Sequence, residues 1–415
     1  MNKKGFWTLR YTLINVLYFA AFCTVHAYAT VFMLDRGFTN TLVGIALALA
    51  NILAVLGQPL VAGIIDKSEV VTNRRVLLTA IGVIFLGSLL LLAFKESKPL
   101  IFIIYVLIYT VQFVAMSIMI AMSFEYQSAG CTHNFGLARG MGSAGFAATA
   151  SITGGVMAAK GPMVNCYITA VVMVLMFIAV YTFKISDQKL SADRTLTDAD
   201  SADKSLESTL ADGGDEPTNN FFEFVKKYPA FMLFLLGGAI CFFSHNMLND
   251  YLIQIIRKLG GGETELGYAS FLQAILELPV MAVMALILKK VSVKAVLVFS
   301  TVAFLLKVII MYFATGLGGM YISQSFQMFA YAVFIPATAF YSDRIMKEKD
   351  KVKGQAYVNC AITLGGVFSS LICGKILDVK GVSFMLLTGI ITAAAGVIIA
   401  VIAMLRECPL SPVQN

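Results

Sequence analysis

Apolar residues in this chain fall in long unbroken runs, with neither the strict alternation of a half-buried strand nor the narrow stripe of a surface helix. Twelve runs can be marked, at about 11–34, 41–65, 76–94, 99–122, 137–159, 162–184, 228–255, 265–288, 293–314, 318–342, 354–376 and 382–405. Each is long enough for a helix to cross ~30 Å of hydrocarbon. In lipid, helices are one of only two backbone forms that satisfy all their own hydrogen bonds. Polar residues gather between the runs, most densely at 186–219, a stretch rich in Ser, Asp, Thr and Gly. That composition buries too little apolar area to offset the entropy of ordering. The pattern predicts an all-α membrane protein with a six-helix bundle at 1–185, a largely disordered cytoplasmic linker at 186–225 and a second six-helix bundle at 226–415.

The first run has a rival reading as a cleaved leader, with Lys3, Lys4 and Arg10 ahead of it and Ala27-Tyr28-Ala29 as a cleavage site. Because it continues through Val31, Phe32, Met33 and Leu34, it is read as a membrane span.

Composition sharpens this picture. Of 415 residues, 59% are hydrophobic and 13% charged, with mean hydropathy +0.82, whereas a soluble domain carries about 25% charged residues. The net charge of +7 comes mainly from Lys and Arg concentrated in alternate loops, among them Lys67, Arg74, Arg75, Lys289, Lys290 and Lys351. That bias places both termini in the cytoplasm, and it needs no nucleic-acid partner. The seven cysteines are odd in number and scattered, which predicts reduced, packed thiols without a metal site or cofactor. No phosphate-binding Gly loop with Lys and no nucleophile–base constellation appears, so the chain does not read as an enzyme.

Charged residues inside the runs carry the functional signal, because a charge in a membrane helix costs at least ~2.5–3.5 kcal/mol and normally faces a partner or a watery cavity. Glu125 ends the fourth run and Arg139 begins the fifth, so a short loop can bring them together as an ion pair. Glu277 and Lys307 lie in the eighth and ninth runs and can pair as a proton site. His26 and His245 occupy corresponding helices of the two halves, whereas His133 falls in a loop and reads as solvated. Tyr28, Gln327 and Asn359 are polar groups within runs that can hold hydroxyls or serve as helix–helix contacts. The small residues of the fifth run, including Gly140, Gly142 and Gly145, suit close helix packing.

The halves echo each other. Asp35-Arg36-Gly37 before the second run parallels Lys258-Leu259-Gly260 before the eighth, and Gly136-Leu137-Ala138-Arg139 parallels Gly354-Gln355-Ala356-Tyr357. Repeats of like orientation imply a substrate site near midplane between the halves.

The segment Ala62-Gly63-Ile64-Ile65-Asp66-Lys67 with Asn73-Arg74-Arg75 resembles the loop signature of the major facilitator superfamily. Phe6-Trp7, Gln58-Pro59-Leu60, Phe135-Gly136-x-Ala138-Arg139 and Gln327-Met328-Phe329 resemble the oligosaccharide–proton symporters. Ser244-His245 and Glu277-Leu278-Pro279 are similar to the phenylpropionate-permease-like branch. The resemblance implies a conformational latch at Asp66, Lys67, Arg74 and Arg75, and sugar-hydroxyl contacts at Glu125 and Arg139. It implies ring stacking at Phe146, where the symporters usually carry Trp. Where that family carries an arginine, a histidine and a glutamate for proton coupling, this chain has Lys307, Gln327 and Ala330, which leaves Glu277, Lys307 and His245 as coupling candidates.

The expectation is a monomeric, multi-pass secondary transporter in a bacterial cytoplasmic membrane, importing a small polar organic solute, sugar-like, with protons. A nucleoside or aromatic-acid importer, a drug or metabolite exporter and a non-transporting sensor are the alternatives.

Overall fold

The structure is a computed structural model describing residues 3–68, 70–185 and 220–406. The linker expected at 186–225 thus lies largely outside the described residues, as does Cys408. The helices are α1 (Lys3–Phe22), α2 (Ala29–Asp35), α3 (Asn40–Asp66), α4 (Asn73–Ala93), α5 (Lys98–Ser128), α6 (Phe135–Lys160) and α7 (Val164–Thr182). The described end of the expected linker is helical, opening α8 (Phe221–Lys227), and α9 (Pro229–Asp250), α10 (Leu252–Lys258), α11 (Glu263–Lys290) and α12 (Val293–Tyr312) follow. They are followed by α13 (Leu317–Ser325), α14 (Tyr331–Ile345) and α15 (Glu348–Arg406).

Helix occupies most of each of the twelve expected runs. Among the described residues nine helices are long and apolar enough to cross a membrane, with α15 counted once. At Gly381 in α15 the backbone turns to φ 75°, a conformation that favours glycine. That turn makes α15 the eleventh and twelfth spans. The two remaining spans are α6, diluted by small residues, and the tenth, which is broken between α13 and α14.

Local chemistry sets the helix ends. Thr72 Oγ1 and Ser292 Oγ accept from the amides of Arg75 and Ala295 at 3.3 and 3.2 Å, capping α4 and α12. Pro99 and Pro229 stand in the first turns of α5 and α9, where no backbone donor is required. Leu60, Ile103 and Leu286, all more than half exposed, lie on outward faces. A soluble protein would be penalised for such surface, but a lipid-facing one is not.

The described residues of 1–28, 52–153 and 163–217 form one compact unit, and those of 29–51, 154–162 and 218–415 form another. In the first, α6 packs on α1 through glycine: a Cβ on Gly142 would come within 2.6 Å of Phe19, and one on Gly145 within 3.0 Å of Val16. A Cβ on Gly140 would meet nothing within 4 Å, so only part of the small-residue run serves packing. The core of the second unit is aromatic, with Phe234 stacked on Phe334 at 5.7 Å and Phe242 edge-on to Phe334 at 5.2 Å. Gly237 and Gly365 let α9 and α15 approach at backbone distance.

Candidate functional site

In the first unit, Arg139 sits in the second turn of α6, half-buried, with its guanidinium 4.2 Å from the centroid of the Phe19 ring. Its Nη1 donates to Ser143 Oγ, one turn on, at 3.2 Å. A guanidinium over a ring face is attracted by the ring's quadrupole, which helps to fix the fork. Glu125, also half-buried, lies in the last turn of α5, where its Oε2 accepts from Asn73 Nδ2 at 3.0 Å. It lines a notch with Thr72, Arg74, Arg75, Tyr126 and Lys184. The loop chemistry of α4 thereby becomes part of the environment of Glu125.

The predicted latch residues divide. Arg74 donates from Nε to the Val180 carbonyl at 3.1 Å and from Nη2 to that of Tyr181, while Arg10 donates to that of Thr182. Two guanidiniums thus cover the carbonyl end of α7, where the helix dipole favours positive charge. Arg75 donates to the Val70 carbonyl, and Asp66 and Lys67 stand exposed at the end of α3.

Between α1 and α2 the chain makes a single wider π-turn, Cys23–Ala27, a feature frequent at functional sites. His26 lies in it, stacked on Phe22 at 4.0 Å with Tyr109 at 3.8 Å and Phe113 at 4.5 Å. Both of its ring nitrogens are buried without a hydrogen-bond partner. Phe146 reaches this box through Phe22, at 6.4 Å. Tyr28 spends its hydroxyl on the Ala150 carbonyl, at 2.5 Å, and fastens α6 to the end of the π-turn.

The second unit brings its candidates together more closely. Lys307, fully buried on α12, donates from Nζ to Gln327 Oε1 at 2.7 Å. Gln327 Nε2 donates to Glu277 Oε1 at 2.8 Å. One amide therefore bridges the amine and the carboxylate. Gln327 stands in the short non-α segment Phe326–Met328 between α13 and α14. Beside the break, the Ala330 carbonyl accepts from the Phe334 amide at 2.9 Å and from Ser300 Oγ at 2.8 Å. Discontinuous helices of this kind line substrate and ion sites in transporters.

Nearby, His245 Nε2 is 3.0 Å from Asn249 Nδ2, and Gln273 Nε2 donates to Asn249 Oδ1 at 3.4 Å and to Gln324 Oε1. The His245 ring stacks on Tyr331 at 5.3 Å, and its Nδ1 is buried without a partner. Asn359 is exposed on α15. His133, expected to be solvated, is instead buried: Nε2 lies 2.7 Å from Ser123 Oγ, and Nδ1 lies 3.1 Å from the Cys131 carbonyl. Burial pulls its pKa below the ordinary 6.5, against a smaller upward pull from that carbonyl. The loop after α5 folds back over its own helix, which a loop composition does not reveal.

Sequence reading also missed two acidic anchors in the second unit. Asp350, fully buried in the first turn of α15, accepts from Lys227 Nζ at 2.8 Å and from the Tyr228 hydroxyl at 2.9 Å. Asp378 takes the amides of Asn40 and Thr41 at 3.0 and 2.7 Å. Only their acidic side chains beside span ends could have signalled them.

Comparison with known proteins agrees with this architecture. A family described as "MFS_1 like family" matches residues 7–388. No curated protein matches the chain. Two solved structures of the nucleoside transporter NupG are similar over nearly their whole length, each with a TM-score of 0.74. One, a mutant, is 13% identical and covers 96% of this chain and 99% of its own. The other is 14% identical and covers 98% and 100%. At such identity the likeness is one of fold: twelve transmembrane helices in the all-α arrangement of the major facilitator superfamily.

Proposed function

The chain belongs to the MFS_1 like family and is a transporter of the major facilitator type; from that premise we propose that it imports a small polar, hydroxyl-bearing solute, sugar-like, together with protons by alternating access. The observation that carries the reading is the Glu277–Gln327–Lys307 bridge at the broken tenth span. A carboxylate and an amine joined through one neutral amide form a site whose hydrogen bonds depend on the charge of the acid. A proton arriving at Glu277 turns a charge-assisted bond into a neutral one, roughly halving its strength. This loosens Gln327 for a solute hydroxyl. In this scheme Glu277, Lys307 and His245 form the proton-coupling group. Arg139 and Glu125 hold polar groups of the solute, with Phe146, His26, Tyr28, His245, Gln327 and Asn359 completing its surroundings. Asp66, Lys67, Arg74 and Arg75 serve the conformational latch at the cytoplasmic ends, with the chain a monomer in the bacterial inner membrane and both termini inside.

A nucleoside is the second reading. A ribose carries the hydroxyls that Arg139 and Glu125 would hold, and NupG, similar in fold, is a nucleoside transporter. Purified protein in liposomes, offered labelled sugars and nucleosides under an inward-acid-outside gradient, tests both. Accumulation of a sugar supports the first reading, accumulation of a nucleoside alone selects the second, and gradient-independent uptake removes proton coupling from either.

A further inference from the structure

At 7 residues, α8 (Phe221–Lys227) is too short to be stable in water by itself, yet its inner side is firmly docked within the second unit. Phe224 is fully buried, its ring 4.9 Å from that of Tyr228 and 4.8 Å from that of Tyr357 on α15. Lys227 Nζ donates to Asp350 Oδ2 at 2.8 Å, and the Tyr228 hydroxyl donates to the same oxygen at 2.9 Å. A carboxylate in the first turn of α15, where the helix dipole favours an anion, thus grips the end of α8. At Tyr228 the backbone leaves helical geometry, with φ −126° and ψ 57°, so α8 does not continue the axis of α9.

The other side of α8 is bare. At ~100° per residue, Phe221, Val225 and Phe222 fall on one stripe, turned away from Phe224 and Lys227. Phe222 is 77% exposed and Phe221 51%, and Lys226 stands exposed at the margin of the stripe. Short amphipathic helices of this pattern lie in the plane of a bilayer interface. We propose that α8 is an interfacial anchor, laying Phe221 and Phe222 into the boundary between acyl chains and anionic headgroups where the seventh span begins, with Lys226 meeting the headgroup phosphates. Two observations favour a lipid surface over a protein partner. First, the stripe stands one bend from the start of α9, a membrane span, so it sits where acyl chains end. Second, this end of the unit is net basic. Lys347, Lys349 and Lys353 flank the start of α15 beside Lys226 on α8, while of the acids there Asp343 and Glu348 are both held by Lys351, at 2.8 and 2.6 Å, and Glu223 remains. Bases so placed are attracted to an anionic leaflet. The inference goes beyond the transport reading and does not depend on it.

Trp7 is the one tryptophan of the chain, so Trp7→Phe clears the optical window for a single reporter. Phe222→Trp is made in that background, and the full-length protein is placed in liposomes of phosphatidylcholine alone or mixed with phosphatidylglycerol. Its fluorescence is quenched either by lipid brominated on the acyl chain near the headgroup or by acrylamide in the water. With phosphatidylglycerol present, brominated lipid should quench strongly and acrylamide weakly. Adding Lys226→Gln should lower the ratio of the two about fivefold, the effect of one base at an anionic surface, and phosphatidylcholine alone should lower it at least as far. Phe221→Trp, on the same stripe, serves if the first variant inserts poorly. Leu286→Trp, on an outward face of α11, is the control and should be quenched by brominated lipid in either bilayer. Strong acrylamide quenching at Phe222→Trp in both bilayers overturns the anchor, because the stripe would then lie in water. Shielding from acrylamide without quenching by brominated lipid also overturns it, because protein would then cover the stripe. Equal quenching by brominated lipid in the two bilayers overturns the role of anionic headgroups. Since the readout needs no transport, each of these failures leaves the reading of the chain as a proton-coupled importer standing.

Discussion

Glu277→Gln isolates the charge of the bridge from its shape. Glutamine keeps an oxygen where Glu277 Oε1 accepts from Gln327 Nε2 at 2.8 Å, so the amide of Gln327 and its contact with Lys307 Nζ stay in place. A hydrogen bond to a charged group contributes ~1.5–3 kcal/mol and a neutral one ~0.5–1.5, so the substitution costs about 1–1.5 kcal/mol. That is a small part of the ~5–15 kcal/mol stability typical of a domain, and the variant should insert and remain monodisperse. Its transport should change in kind. With one proton per solute, a pH difference of one unit is worth about 1.36 kcal/mol and sustains up to tenfold accumulation. The variant behaves as permanently protonated, so its internal and external solute should equalise at a ratio of about 1 while exchange of labelled for unlabelled solute continues. The assay is paired uphill uptake and counterflow in liposomes, on whichever compound the wild type accepts. Wild-type accumulation in Glu277→Gln would refute the assignment, because no charge change at the bridge would then be needed.

Arg139→Ala should abolish solute binding, measured by calorimetry or ligand-induced thermal shift, in protein that still elutes as one species; retained affinity removes Arg139 from the site. Gly142→Val should cost ~1–3 kcal/mol by overpacking, because even its Cβ would meet Phe19 at 2.6 Å, whereas Gly140→Ala should be nearly neutral, with nothing within 4 Å; equal melting temperatures for the two variants would contradict the packing of α6 on α1. His133 has a pKa depressed by burial, so its contribution to stability is present above the ordinary 6.5 and is lost as pH falls toward the folded-state value. The melting temperature should therefore drop between pH 7.5 and 5.5 more steeply in wild type than in His133→Gln. For Asp378, burial raises the pKa, but the bonds from Thr41 and Asn40 outweigh it and hold the carboxyl below its ordinary 3.8. Its stabilising contribution is thus complete above 3.8 and is lost only as pH falls through the lower folded value, so the difference in melting temperature between wild type and Asp378→Asn should be flat from pH 5 to 8.

The spans were legible because hydrophobic length is a local property of the chain, readable one run at a time. Breaks were not: nothing in Cys23–Ala27 or Phe326–Met328 announces a departure from α geometry, which depends on what the neighbouring helices supply. The site was legible as a set of residue types and less so as a set of partners. Positions in the eighth and ninth runs suggest a direct pair of Glu277 and Lys307, yet Gln327 of the tenth stands between them. Glu125 was matched with the nearest charge across a short loop, and the structure adds Asn73 on α4 as a hydrogen-bond donor. The cap by Asp378 joins residues 338 apart in sequence, and only a tertiary arrangement can reveal it.

The central claim, that this family member moves a hydroxyl-bearing solute with protons, is tested most directly by measuring proton movement alongside solute uptake. Wild-type protein is placed in liposomes containing a pH-sensitive dye, and sugars and then nucleosides are added from outside without an imposed gradient. The account predicts internal acidification that begins with the addition of one solute class, scales with its uptake and vanishes in Glu277→Gln. Solute uptake without acidification in the wild type would contradict it.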